Sequence, residues 1–567
     1  MVKDTGHGTT FWQRHFIQKN HRALFYSLWL LFGLIQSRYT ELLDDEAYYW
    51  VYSHFLDWGY FDHPPMIALL IKLGYGIVHN ELGVRLLLLL MNLFSLMIIE
   101  TLIVKKNAPL FYAIILSLGV LQLSGFVAVP DTPLIFFTAI FFWCYKKFTN
   151  NFSIEYALLL GLSAALLIYS KYHGVLIILF TLMSNVRLLT KYQIYVAGSV
   201  ALLLLVPHLW WQVHHDWVSI RYQLFENKVA PYRVNFTFEY IGGQILLTGP
   251  LAGFVLLPAA LLYKGRNFIE QTLYVNMIGI YLFFLLSSFR GTVEANWTAP
   301  ALIPLIVLSH RFLDGNQRWR KVLFKLFPAT LILILLSRTI LIVDILPIES
   351  IQERYHSWKV WPDQMRQETK GLPIVFSNSY QRAAKYWFYS GQMTYSQNSY
   401  RDRRNNYDFW PLEDSMLGKS VYFLDIYRLW RFKDSLRTPL GWIGYRYDSC
   451  FASFAKINIT SIPQKFVIRE GETISMKCVF EIPEQYSSFI LSHPSTSDTI
   501  RIGLFNKDGW ITDIFTHLSI QQMSRQKEAE IYFNPKLGKG KYYFLFAINN
   551  KDYNATRNSS KVTLEVK

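Results

Sequence analysis

Cysteine is nearly absent from this chain, with three residues in 567, too few for a disulfide framework. Cys144 falls inside an apolar stretch, and Cys450 and Cys478 either pair in an oxidising exterior or remain two buried thiols. Acidic charge is also short, 40 Asp and Glu against 56 Lys and Arg, a net charge of +16. No internal repeat or low-complexity tract is present, which argues against solenoid and disordered classes. No A-x-A-like cleavage site follows the apolar segment 24–36, so that segment reads as a retained first span and not as a removable leader.

What is abundant is apolar surface: 52% of residues are hydrophobic and 17% aromatic, high for a soluble enzyme. Up to residue 347, about eleven apolar stretches approach the length that crosses a bilayer, near 22–40, 84–104, 109–129, 131–146, 155–170, 172–186, 193–211, 241–263, 270–289, 297–310 and 323–346. The excess positive charge sits at every second connection: Lys3, Arg14, Lys19 and Arg22; Lys105 and Lys106; Lys146 and Lys147; Arg187 and Lys191; Lys264 and Arg266; then Arg311 to Lys325. Such alternation is the positive-inside pattern of a chain with a cytoplasmic N-terminus. It assigns the basic charge to a membrane surface and argues against a nucleic-acid partner. The acid-rich connections, and everything beyond the last span, are then external.

Residues 348–567 have no spanning stretch. Residues 348–449 mix strand-like and helix-like runs and read as a small α/β module; 450–567 hold about eight short alternating strands, which reads as a β-sandwich. Lys507-Asp508-Gly509 has hairpin-turn chemistry. The basic, aromatic run Arg401 to Trp410 is either an anion- or sugar-binding surface or a solvated loop.

The first external loop, residues 41–82, concentrates Asp44, Asp45, Glu46, Asp57 and Asp62 among aromatics beside the membrane, where unpaired acids are costly to keep. Asp45 and Tyr49 share one helical face, as do Glu46 and Trp50. Asp62 precedes His63-Pro64-Pro65 and an apolar helical stripe, so it is either that helix's N-cap or part of a phosphate seat. Asp131, Lys171 and the group Arg290, Glu294 and Asn296 lie at other external span ends. Together these clusters fit a substrate with an anionic head and an apolar tail.

The runs DDEAYYW and LDWGYFDHPP, then PDTPLIFF, Lys171 and VEANWTAP, resemble in that order the GT-C membrane glycosyltransferases of the dolichyl-phosphate-mannose protein mannosyltransferase superfamily. Within it they are most similar to the bacterial aminoarabinose and galacturonosyl transferases of lipid A or its core. The resemblance covers about residues 20–345. It implies a multi-span α-helical GT-C domain, a polyprenyl-phosphate sugar donor, a lipid A, other glycolipid or protein acceptor, and action at the external face of the bacterial inner membrane. It further implies a catalytic role for Asp45 of the Asp45-Glu46 pair, a second acid in Asp131 and a donor-phosphate contact from Lys171; the residues themselves add Glu46 to the catalytic acids, His63 and Arg290 to the donor-phosphate seat, and Tyr49, Glu294 and Asn296 as expected acceptor contacts. His63 stands where the aminoarabinose enzymes carry Lys, a departure bearing on sugar specificity.

Chemically, Lys171, Arg290 and a divalent cation held by Asp45 and Asp62 would stabilise the leaving phosphate, while Asp45 serves as base for a hydroxyl acceptor. The alternative is a multi-span transporter of a lipid-linked or anionic substrate. Its polar residues would lie near the midplane; these lie at span ends.

Overall fold

The computed structural model describes residues 11–103, 107–123, 125–438, 441–493, 498–550 and 553–567, the side chains of 11–19 excepted. Lys3, Lys105 and Lys106, and the side chains of Arg14 and Lys19, lie outside the described residues. Two compact units follow each other, Met1–Ile351 and Gln352–Lys567, a boundary a few residues past the expected one.

The first unit is helical. Its helices begin where a short polar side chain can take the free N–H groups of the first turn: Asn80, Ser153, Asn267 and Asn316 cap Glu81–Leu102, Ile154–Ser170, Phe268–Ser287 and Gln317–Ile342. Among the described residues, four helices are long and apolar enough to cross a membrane: Glu81–Leu102, Tyr192–His214, Phe268–Ser287 and Gln317–Ile342. The other expected spans coincide with helices that are shorter or less apolar, so the count of about eleven is not reached on length and composition alone. The span expected at 241–263 is two helices, Val234–Thr248 and Gly253–Leu262, meeting at 99°. Gly249, at φ +133°, followed by Pro250, stops the first helix. A Cβ on Gly249 would come within 2.3 Å of the Ser117 carbonyl, so the bend is locked by close backbone packing. Large apolar residues on Tyr192–His214 (Leu202, Leu203, Val206, Trp210) and Gln317–Ile342 (Ile332, Leu335, Leu336) are exposed, the outward surface of a protein that contacts lipid.

In the second unit, strand Ile374–Ser377 pairs in parallel with Thr394–Gln397 and Val421–Asp425, and Gly441–Asp448 and Asp434–Thr438 extend this sheet antiparallel. The eight later strands expected from the alternation are present and, with the short strand Thr556–Arg557, make one six-stranded and one three-stranded sheet. Their facing apolar side chains, Ile459, Met476, Phe480, Ile502, Leu504 and Phe544 among them, form a shared core. The turn Lys507–Gly509 joins two antiparallel strands, Gly509 adopting φ +128°. The expected boundary at 449/450 is stitched by hydrogen bonds: Gln397 Nε2 donates to the Asn554 carbonyl (2.6 Å), and Glu413 accepts from the Ala455 and Lys456 amides. Cys450 and Cys478 are both free; burial pushes the Cys478 thiol up to about 12.

Candidate active site

The acid-rich loop 41–82 folds as its spacing suggests, into the helix Asp44–Tyr52, with three acids in the first turn complementing the helix dipole. The three acids expected to be catalytic nevertheless sit in three different settings. Asp45 is exposed, while Glu46 is fully buried. Glu46 forms a bidentate pair with the equally buried Arg85, Nε to Oε1 at 2.7 Å and Nη2 to Oε2 at 2.5 Å. The amides of Leu43 (2.9 Å) and Ala128 (2.7 Å) donate to the same carboxylate. Arg85 spends its remaining donors on the carbonyls of Ser37, Thr40 and Glu41. Glu46, expected among the catalytic acids, here clamps the loop's entry to the helix behind it.

Asp131 opens the helix Asp131–Asn150, with Pro133 in the first turn, where a missing N–H costs nothing. Lys171 terminates Ile154–Ser170, where a cation complements the carbonyl end of the dipole. Their side chains meet in a buried pair, Lys171 Nζ to Asp131 Oδ1 at 2.7 Å, and Asn296 Nδ2 donates to Asp131 Oδ2 at 2.9 Å. Three chain segments that the sequence named separately thus converge at one point.

Lys171 also lines a cavity of about 380 Å³ together with His63, Arg290, Lys228 and His173. The lining also includes the apolar side chains of Leu176, Leu224, Phe283, Phe284 and Trp297. Its rim is set by backbone pairing: the Ala230 amide donates to the Arg290 carbonyl at 3.1 Å, and Val229 forms an antiparallel bridge with Gly291. A Cβ on Gly291 would lie 1.8 Å from the Lys228 carbonyl, so only glycine permits this approach. Glu294 pairs with Lys228 on the exposed rim. His63 Nε2 and the Tyr49 hydroxyl are 3.0 Å apart, so Tyr49 supports the His63 wall of the cavity. Arg85, Lys228 and His173 were not singled out by the sequence reading. Arg85 carries a visible signal, a charge inside the apolar run GVRLLLLL; His173 shares the polar interruption that marks Lys171, and Lys228 lies in a segment with no pattern to mark it.

Asp62 is buried and accepts from the Tyr52 hydroxyl. Burial, then the Asp62 charge, pushes the Tyr52 phenol well above its usual range, keeping it a neutral donor. The cap of the following helix Met66–Ile77 falls to Pro65, so Asp62 is not its N-cap. Among the described residues no group of three or more His, Cys, Asp or Glu side chains could hold a metal. With Asp62 turned to Tyr52 and Asp45 exposed, this pair does not fit a cation seat.

The sequence family described as dolichyl-phosphate-mannose-protein mannosyltransferase matches residues 62–211, a stretch holding Asp62, His63, Asp131 and Lys171. The lipid A galacturonosyltransferase RgtD of Rhizobium johnstonii is 26% identical over 290 residues, 48% of this chain and 60% of that protein. In fold, the chain is similar to ArnT from Cupriavidus metallidurans in the apo state, with TM-score 0.58 and 14% identity over 76% of this chain and 98% of that one. It is likewise similar to the same protein bound to undecaprenyl phosphate, with TM-score 0.57 and 13% identity over 75% and 98%.

Proposed function

We propose that this chain, a membrane glycosyltransferase of the GT-C type, transfers a sugar from a polyprenyl-phosphate donor to an envelope glycolipid of the lipid A class at the external face of the bacterial inner membrane. The observation that carries this reading is the cavity in which Lys171, Arg290, His63 and Lys228 share the lining with apolar side chains, a match for a phosphate attached to a long isoprenoid chain. The relatives support the same reading, RgtD by its lipid A acceptor and ArnT by its bound undecaprenyl phosphate.

In the transfer, an acceptor oxygen forms a bond to the sugar's anomeric carbon as the bond from that carbon to the phosphate oxygen breaks, and polyprenyl phosphate leaves with the electron pair. Lys171 and Arg290 neutralise the charge that grows on the leaving oxygen. Asp131, itself held by the Asn296 amide, accepts from the Lys171 ammonium and fixes it at the cavity wall. A hydroxyl acceptor gives its proton to Asp45, the exposed acid of the loop helix; a phosphate acceptor is already anionic and needs no base. His63, in place of lysine, points to a sugar other than aminoarabinose.

The test is transfer in proteoliposomes from a defined polyprenyl-phosphate sugar to a lipid A acceptor, with mass spectrometry of the product. Asp45→Asn is expected to cut turnover by about 10²–10⁴ with a hydroxyl acceptor and to leave thermal stability unchanged. Near-normal turnover in that variant removes Asp45 from the chemistry, and absence of any lipid-linked transfer by the wild-type chain overturns the reading.

A further inference from the structure

The second unit contains a cavity that the transfer reaction does not use. It encloses about 540 Å³ and is lined by Arg401, Arg428, Arg431 and Arg501, with Trp430 and Tyr400. Four guanidinium groups gather along this lining, and the Asp513 carboxylate sits beside two of them. Asp513 accepts from Arg401 (2.7 Å) and Arg501 (3.1 Å), from Trp510 Nε1 (2.7 Å) and from the Tyr400 hydroxyl. Burial alone would raise Asp513, but those donors win and hold it below the usual carboxylate range, so it is a fixed negative charge. Asp513 answers Arg401 and Arg501, and the four arginines give the cavity a basic lining.

The arginines come from three separate directions in the fold. Arg401 follows the strand Thr394–Gln397 and stacks on Trp510, 3.6 Å from the ring centre; Arg501 lies within Asp498–Asn506; Arg428 and Arg431 sit on the turn after Val421–Asp425. A planar carboxylate is satisfied by one bidentate arginine, whereas a phosphate presents three oxygens in different directions and suits donors that converge. Arg501 Nε is buried and has no protein partner among the described residues. At the rim, Trp430 is 79% exposed, an unusual degree for the largest apolar side chain, with the Arg431 guanidinium 5.0 Å from its ring centre. An exposed indole face beside a cationic pocket suits the apolar C–H face of a sugar ring. A cavity of this volume has room for one or two such rings.

We propose that this cavity binds a phosphorylated saccharide, the arginines taking the phosphate and Trp430 the adjoining sugar ring. The proposal stands apart from the transfer reaction and survives any revision of its donor or acceptor. It is tested on the full chain in detergent by calorimetric titration with glucose 1-phosphate, glucose and inorganic phosphate. Glucose 1-phosphate is expected to bind saturably, inorganic phosphate more weakly and glucose undetectably, with affinity falling as NaCl rises from about 50 to about 300 mM. Arg501→Gln is expected to weaken the sugar phosphate by about tenfold or more. Trp430→Ala, a change at an exposed position that leaves the melting temperature unaltered, is expected to weaken it by about fivefold and leave inorganic phosphate unaffected. Should Arg501→Gln fail to fold, Trp430→Ala and the salt dependence decide alone. The proposal is overturned by absence of saturable binding, by affinity unchanged in Trp430→Ala, or by equal affinity for inorganic phosphate, which would mean an adventitious ion only.

Discussion

Lys171 and Asp131 are opposite charges removed together from water, so deleting one exposes the cost of the other. Lys171→Ala strips a cation from the cavity and leaves the buried Asp131 with the Asn296 amide as its remaining described side-chain donor. A hydrogen bond to a charged group contributes about 1.5–3 kcal/mol, which corresponds to about 10- to 150-fold in donor KM. Steady-state kinetics with varied polyprenyl-phosphate sugar checks this, and an unchanged KM takes Lys171 out of the donor site. Glu46 and Arg85 behave differently. Both are 0% exposed, and Arg85→Met would strand a buried carboxylate, a change that costs about 3–5 kcal/mol. The expected result is a large drop in melting temperature in detergent, whereas Asp45→Asn leaves it in place. Sequence spacing marked Asp45 and Glu46 as a pair without separating them. Which of two adjacent acids is buried depends on Arg85, 39 positions away, and no local pattern carries that information.

At the scale of elements, the cavity proposed for the donor depends on a loop held by backbone pairing across Gly291. Gly291 lets the segment Asn227 to Ala230 lie against Arg290, placing Lys228 and Arg290 on one wall. Gly291→Val would force the two strands apart, because its Cβ would fall 1.8 Å from a carbonyl oxygen that cannot yield. Weaker donor use with near-wild-type insertion into the membrane is expected, read by donor KM and detergent-solubilised yield; full activity would show that the loop does not shape the site. Strands were the most legible elements, since two-residue alternation and the Asp-Gly turn are local properties. The helix bend at Gly249 was not taken from the sequence, although Gly-Pro is a break signal. The apolar length of 241–263 outweighed it, and hydropathy is blind to direction.

For the whole molecule, two clusters at opposite ends of one helix carry the orientation. Lys146, Arg187 and Lys191 line a cavity of about 480 Å³ beside the start of Ile154–Ser170. Lys171 and its cavity lie at the other end of that helix, which at 17 residues rises about 25 Å, close to the thickness of a bilayer core. Basic residues gathered from separate connections at the first end fit a cytoplasmic face, and the site is then external. Reporter fusions after Lys147 and Arg266 are expected to read cytoplasmic, and fusions after Asp62 and Ser357 external. The decisive fusion is the one at Ser357, because the loop helix and the second unit share a compartment only if an odd number of crossings precedes it. A cytoplasmic reading there would separate the saccharide cavity of the second unit from the membrane site and would require an even number of crossings in the helical unit.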